Sequence, residues 1–215
     1  HGIMQSADDA SGKDPVYREY ARMARDYDRR WAGYIDRSVR ATLARFTISG
    51  SARVVDIGCG TGALLGRLAE TMPAEQLVGI DLTPAMLDVA RARLPAATSL
   101  QVARAEALPL SAGMFDAALS SSAFNCNPEP QRALHEMYRV LRPGGRLVIT
   151  DWCHDDLACR ILDRWLRLTG RSHHRTYRAG QLAAMLETAG FARITCDRYR
   201  LGWWGMMTLT ACRPE

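Results

Sequence analysis

The amino-acid sequence predicts an α/β fold: a doubly wound, mostly parallel sheet of seven strands, closed by an antiparallel C-terminal hairpin and covered by an N-terminal helical lid. Three observations predict it. From residue 53 to residue 151, short β-like runs alternate with helical patterns, which argues for parallel strands joined by right-handed crossovers. The last two β-like runs follow each other with no helical segment between them, so they pair antiparallel. Residues 15–46 carry an aromatic, arginine-rich helical pattern that needs a surface to pack on.

Each element has its own signal. The polar start HGIMQSADDASGKD (1–14) is expected to be a disordered tail without a signal peptide, His1-Gly2 being left from an expression tag. In the next stretch, 15–48, Tyr20, Met23, Ala24, Tyr27, Trp31 and Tyr34 share one face of one or two helices, placed most simply over the carboxyl edge of the sheet. Strands follow at RVVDI (53–57), LVGID (77–81), LQVAR (100–104), FDAALS (115–120) and RLVITD (146–151). Helices are predicted near 61–71, 84–94 and 130–141. Thr83 and Pro84 mark the start of the second of these, and Pro143-Gly144-Gly145 turns the chain into the fifth strand. Helices near 155–169 and 178–189 lead to the strands ARITCDRY (192–199) and WGMMTLTA (204–211), which turn around Leu201-Gly202.

Composition narrows the class. A chain of 215 residues with 47% apolar content suits a single domain with a real core. No run approaches the roughly 18 uncharged apolar residues of a membrane span. The six cysteines show neither a CxxC pair nor a disulfide framework, so reduced thiols, a cytoplasmic location and no metal site are expected. The net charge of +5 comes from 27 arginines and one lysine, Lys13. Such a balance fits either a GC-rich coding bias or an anionic partner, because arginine forks match phosphate and carboxylate.

The loop VVDIGCGTG (54–62) concentrates the chemistry. In an open α/β sheet ligands bind outside the carboxyl ends of the strands. There Gly58, Gly60 and Gly62 let the backbone approach a ligand closely, and the following helix offers free N–H groups. Asp81 ends the second strand, where a carboxylate either accepts both hydroxyls of a ribose or caps the helix at 84. A dinucleotide loop would be spelled G-x-G-x-x-G; here the spacing is Gly58-x-Gly60-x-Gly62, with Asp56 just before it. That acid would repel a pyrophosphate and suits a cationic amino group, so an adenosine derivative with an aminoacyl part is expected.

VVDIGCGTG, Asp81, FDAALSS and RVLRPGGRLVITD together resemble the class I S-adenosylmethionine-dependent methyltransferases, within them the small-molecule, type 11-like group. The resemblance covers about residues 50–151. It implies a Rossmann-like fold, with 15–48 as lid, 50–151 as cofactor-binding half, and 152–215 as substrate-side helices and closing strands of one domain. It also implies S-adenosylmethionine as cofactor, with Asp56 at its ammonium and Gly58, Cys59 and Gly60 along its methionine part. Asp81 would hold the ribose, with Leu82 and Met86 against the adenine and Ser121 completing the site; Tyr20 and Tyr27 are further expected cofactor contacts, because aromatic faces can hold the cation. Arg104 stands where the family places an acid at the adenine amine, which leaves the backbone of Ala105 and Glu106 to read the ring. On the substrate side, Asn125 and Cys126 replace two histidines of the family pattern.

Methyl transfer from a sulfonium mainly requires alignment, so few catalytic groups are expected. His154, just past the fifth strand, is the candidate base, ahead of His173 and His174; Tyr27 is a second catalytic candidate. Trp31, Asn125 and His154 are the candidate acceptor contacts. The expected acceptor is a small molecule, hydrophobic or phospholipid- or quinone-like. Arg160, Arg164, Arg167, Arg171, Arg175 and Arg178 recur beside Leu157, Ile161, Leu162, Trp165 and Leu168, a stripe that reads as solvated surface or as contact with a membrane. DNA and RNA bases are not expected, because Asn127-Pro128-Glu129 comes too late after the fourth strand and lacks an aromatic residue. A protein or RNA methyltransferase, and a cofactor-binding protein without turnover, are the rival readings.

Overall fold

The structure is a computed structural model and describes residues 15–47, 49–157, 159–161, 164 and 175–215. Helix α1 (Pro15–Leu43) is one unbroken element of 29 residues. Then come β1 (Val54–Ile57), α2 (Ala63–Leu68), β2 (Leu77–Asp81), α3 (Pro84–Arg93), β3 (Ser99–Val102), β4 (Phe115–Ser121), α4 (Pro130–Val140), β5 (Leu141–Trp152), α5 (Ala179–Thr188), β6 (Ala192–Leu201) and β7 (Trp204–Cys212). The seven strands form one sheet in the order β3-β2-β1-β4-β5-β7-β6. Strands β1 to β5 pair parallel, and β7 runs antiparallel to both β5 and β6. The predicted architecture holds strand for strand.

Successive residues of the inner strands point to opposite faces, and both faces are covered. On one face Val55, Ile57, Ile80, Ala118, Leu147 and Ile149 pack with Leu134, Met137, Leu182 and Leu186 of α4 and α5. On the other, Val54, Leu77, Ala117, Leu119 and Val148 pack with Val39 of α1, Leu64 and Leu65 of α2, and Leu87 and Ala90 of α3. This two-sided burial explains why the strands read as continuous apolar runs rather than as alternating ones.

Two details differ from the sequence expectation. Strand β5 begins at Leu141, which pairs with Phe115 across a bulge, so the Pro143-Gly144-Gly145 turn sits inside the strand rather than before it. The hairpin turns at Gly202 and Trp203, between Leu201 and Trp204, with Gly202 in the left-handed region at φ 66°. The helix expected over 155–169 is helical at 157, 159–161 and 164; Leu162, Trp165, Arg167, Leu168 and Arg171, and the histidines at 173 and 174, lie outside the described residues.

Candidate active site

The adjacent carboxyl ends of β1 and β2 set the site. Gly58 N–H and Cys59 N–H both donate to Ile80 O, at 2.8 and 3.0 Å, so the loop after β1 is folded down onto the end of β2. Gly58 sits at φ 78°, and a Cβ there would come within 2.3 Å of Ala123 Cβ. Gly60, at φ 53°, faces open space instead, where backbone can meet a ligand. Asp81 Oδ2 accepts Gly60 N–H and Oδ1 accepts Thr83 N–H, both at 2.8 Å. Thr83 occupies the cap position of α3 without a side-chain cap bond, so Asp81 ties both loops together.

A cavity of about 1120 Å³, counting its open mouth, lies over these two strand ends. Asp56, Gly58, Cys59, Gly60, Asp81, Leu82, Met86, Ala105, Glu106, Ser121, Tyr20 and Tyr27 all line it, so twelve residues singled out in the sequence meet in one place. Asp56 is 2% exposed, and its Oδ1 has no hydrogen-bond partner among the described residues. Burial, and then the charge of Asp81, push its carboxyl up to about 8. Burial also raises Asp81, against the two N–H bonds that lower it. A buried carboxylate oxygen without a donor, beside an open glycine backbone, fits the ammonium of an aminoacyl group.

At the other end Arg104 Nε lies 3.7 Å from Glu106 Oε2. Glu106 is buried, so an acid does reach this end of the cavity, two residues after the position where Arg104 stands.

Helix α1 closes the top. Asp28 holds Thr61 Oγ1 at 2.6 Å and pairs with Arg93 of α3, which latches the lid to the glycine loop. Further along, Trp152 Nε1 donates to Tyr34 Oη at 2.6 Å. An indole can only donate, so the Tyr34 hydroxyl passes its own hydrogen to Ser122 Oγ, 2.7 Å away. Ser38 Oγ lies 3.0 Å from both Ser121 Oγ and Ser122 Oγ, and Thr42 Oγ1 donates to Thr150 Oγ1 at 2.8 Å. Ser122 adopts φ 57°, a left-handed conformation that costs a serine roughly 1–3 kcal/mol. Burial raises the Tyr27 and Tyr34 phenols, and the nearby Cys126, then burial, raises that of Tyr20. All three are therefore donors at neutral pH rather than bases.

Three expected contacts stand outside the lining. Trp31 packs edge-on against Tyr34, centroids 6.4 Å apart. Asn125 is buried; its N–H donates to Asp151 Oδ2 at 2.8 Å and its Oδ1 accepts the Cys126 thiol at 3.2 Å. It belongs to the 3₁₀ turn Phe124–Cys126, in which each residue rotates by about 120°, so Cys126 and the following Asn127 face the cavity instead. His154 Nδ1 is 2.7 Å from Thr176 Oγ1, and its N–H donates to Tyr177 O.

Residues 55–149 match the family model described as a methyltransferase domain. The chain is 34% identical over 149 residues to a malonyl-(acyl-carrier protein) O-methyltransferase of Methylococcus capsulatus, over 68% of this chain and 54% of that protein. It is 42% identical over 104 residues to a demethylmenaquinone methyltransferase of Thermus thermophilus, over 46% of this chain and 47% of that one. The chain thus spans about half the length of these curated relatives. Among solved structures, an S-adenosylmethionine-dependent methyltransferase of Thermotoga maritima superposes with a TM-score of 0.77 at 20% identity, covering 92% of this chain and 99% of that one. Residues 55–149 are a methyltransferase domain of the class I, S-adenosylmethionine-dependent family. The glycine loop and the strand ends that floor the cavity lie within this matched stretch.

Proposed function

We propose that this chain is an S-adenosylmethionine-dependent methyltransferase acting in the cytoplasm on a small, uncharged, largely apolar, lipid-soluble acceptor of quinone-like type. One observation carries the acceptor class. Among the described residues, the charged side chains that line the cavity are Asp56, Asp81, Arg104 and Glu106, all on the cofactor side, whereas the acceptor side presents Tyr20, Tyr27, Tyr34, Ser38, Ser122 and Cys126. Phenols, hydroxyls and a thiol suit a neutral ring bearing oxygen, and would bind a phosphate or carboxylate head poorly. The quinone acceptor in the name of the Thermus thermophilus relative supports the same class. A lipid-like acceptor is met at a membrane surface, so peripheral membrane contact belongs to this reading.

The geometry supports a division of labour. S-Adenosylmethionine, when bound, supplies an electrophilic methyl group on a sulfonium. Asp56 would hold its ammonium and Asp81 its ribose hydroxyls; Leu82 and Met86 would flank the adenine, with Glu106 and the Ala105 backbone at its edge. The lid and the loop fix donor and acceptor in line, the kind of alignment that lowers a barrier by roughly 7–11 kcal/mol. The rings of Tyr20 and Tyr27 hold positive charge for about 0.5–2 kcal/mol each. Tyr27 donates to the acceptor in this scheme, and Tyr34 orients Ser122. His154 braces the chain after β5 through Thr176. The acceptor in this scheme brings its own acidic hydroxyl or ring position. Residues 15–48 act as lid, 50–151 as cofactor half and 152–215 as acceptor-side frame.

The test is transfer from methyl-labelled S-adenosylmethionine into an extract of the source cells, followed by partition. Label in the organic phase supports the proposal. Label in precipitated protein or RNA, or in the aqueous small molecules, contradicts the acceptor class.

A further inference from the structure

Leu157, Ile161 and Trp203 are 65%, 63% and 86% exposed, and the fold brings them to one end of the molecule. Trp203 lies in the turn between β6 and β7. Because Trp152 at the end of β5 pairs with Met206, that turn stands at the carboxyl rim, the same rim as the cavity. The helical stretch after β5 packs on it: Cys153 N–H donates to Gly205 O at 2.9 Å, Cys159 Sγ reaches the same oxygen at 3.2 Å, and Arg200 pairs with Asp156 at 2.7 Å. Cys159 is the buried side of this stretch. Leu157, Arg160, Ile161 and Arg164, spaced as one helical face, are exposed.

The patch continues into the cavity wall. Trp204 stacks on Trp152 at 5.1 Å between centroids and meets Tyr34 edge-on at 6.3 Å, and Tyr34 lines the cavity. Among the described residues its charge is also one-sided. Asp155 and Asp156 are answered by Arg198 and Arg200. Arg160 and Arg164 remain on the exposed face, and Arg37 comes within 3.8 Å of the place a Cβ on Gly202 would occupy. An isolated exposed tryptophan needs no explanation; a tryptophan, a leucine and an isoleucine interleaved with arginines on the rim that also carries the cavity form a surface with a partner.

We propose that this face docks the enzyme on an anionic membrane. Trp203, Leu157 and Ile161 enter the interfacial layer, where an indole places its apolar body and its N–H to advantage, and Arg37, Arg160 and Arg164 meet lipid phosphates. The cavity mouth then faces the bilayer, so that a lipid-like acceptor passes along Trp204 and Tyr34 without crossing water. The proposal rests on the lipid-like acceptor class given above.

The full chain is sedimented with vesicles of phosphatidylcholine containing phosphatidylglycerol, and with pure phosphatidylcholine, at low and high salt. Binding to the anionic vesicles that weakens with salt is expected. Trp203→Ser should weaken it by about tenfold or more, the worth of part of one large apolar side chain, and Leu157→Ser/Ile161→Ser by a similar factor. Arg160→Ser/Arg164→Ser should cost about fivefold per arginine. Calorimetry with S-adenosylhomocysteine checks that each variant is folded, and none should change that affinity. Absence of binding to anionic vesicles overturns the proposal. So does binding that the two apolar variants leave unchanged, which would be mere adsorption of a basic protein. A dimer that Trp203→Ser dissociates would give the face to a second copy and overturn it too. Transfer to detergent-dispersed lipid extract separates the two claims: label in the organic phase without vesicle binding refutes docking alone, and vesicle binding without lipid label refutes the acceptor class alone.

Discussion

Asp56→Asn should weaken the cofactor and stabilise the free protein at the same time. The carboxyl titrates at about 8 because it is buried near Asp81 with one oxygen unpartnered. At pH 7 the ligand-free protein is therefore about nine-tenths protonated at this position. Pairing with an ammonium requires the ionised form, so binding releases close to one proton. The apparent affinity for S-adenosylhomocysteine should rise about 50-fold between pH 6 and pH 8, while the ligand keeps its own ammonium proton. Stability has the opposite sign. A raised carboxyl retains a proton that the unfolded chain loses, so the free protein becomes less stable as pH rises from about 4 to about 8. Asp151, which burial raises to about 7, adds to the same slope. The substitution should flatten the pH dependence of binding, lower affinity at pH 8 by about 10–100-fold through loss of a charge-assisted bond, and reduce but not abolish the stability slope. Titration calorimetry in buffers of different ionisation enthalpy counts the proton, and thermal melts follow the slope. Unchanged affinity in Asp56→Asn, or no proton released by the wild type at pH 7, would refute the reasoning.

Three other substitutions test the parts around it. Tyr34→Phe leaves Trp152 Nε1 without its acceptor and should cost about 1–3 kcal/mol in chemical denaturation, with cofactor affinity retained and acceptor KM raised. Asp28→Ala opens the latch to Thr61 and Arg93. This half-exposed contact is worth about 0.2–1 kcal/mol, so the cofactor off-rate in stopped flow should rise roughly two- to fivefold; an unchanged rate would mean that the lid is held elsewhere. Gly58→Ala forces a Cβ into Ala123 at a left-handed φ and should lower stability by about 1–3 kcal/mol and abolish tight cofactor binding.

What the sequence revealed is what local pattern encodes. The β1 run ending in Asp56, the spaced glycines and the acid at Asp81 are each set by a strand end, and strand ends in an alternating α/β chain define the rim. The N-terminal helix was legible through the spacing of Tyr20, Tyr27 and Tyr34, which line the cavity. Its contacts were not, because Asp28 meets Arg93 and Tyr34 meets Trp152 across 65 and 118 residues of chain, and no periodicity marks such pairs. Asn125 and Cys126 exchange roles for a local reason: the 3₁₀ turn rotates one inward and the next outward, which residue type alone does not decide. Glu106 is expected from the sequence only through its backbone; that its buried side chain lines the cavity depends on how the 104–106 turn folds. The outward face of Leu157 and Ile161 was visible as spacing, but its alignment with Trp203 exists only once β7 is paired with β5.

The most direct test of the account is a crystal structure of the chain with S-adenosylhomocysteine. The account predicts the ligand ammonium on Asp56 Oδ1, both ribose hydroxyls on Asp81, and the adenine between Met86 and the Ala105–Glu106 backbone, with the homocysteine sulfur turned toward Tyr27 and Ser122. A ligand bound elsewhere, or a ribose that leaves Asp81 bonded only to Gly60 and Thr83, would contradict it.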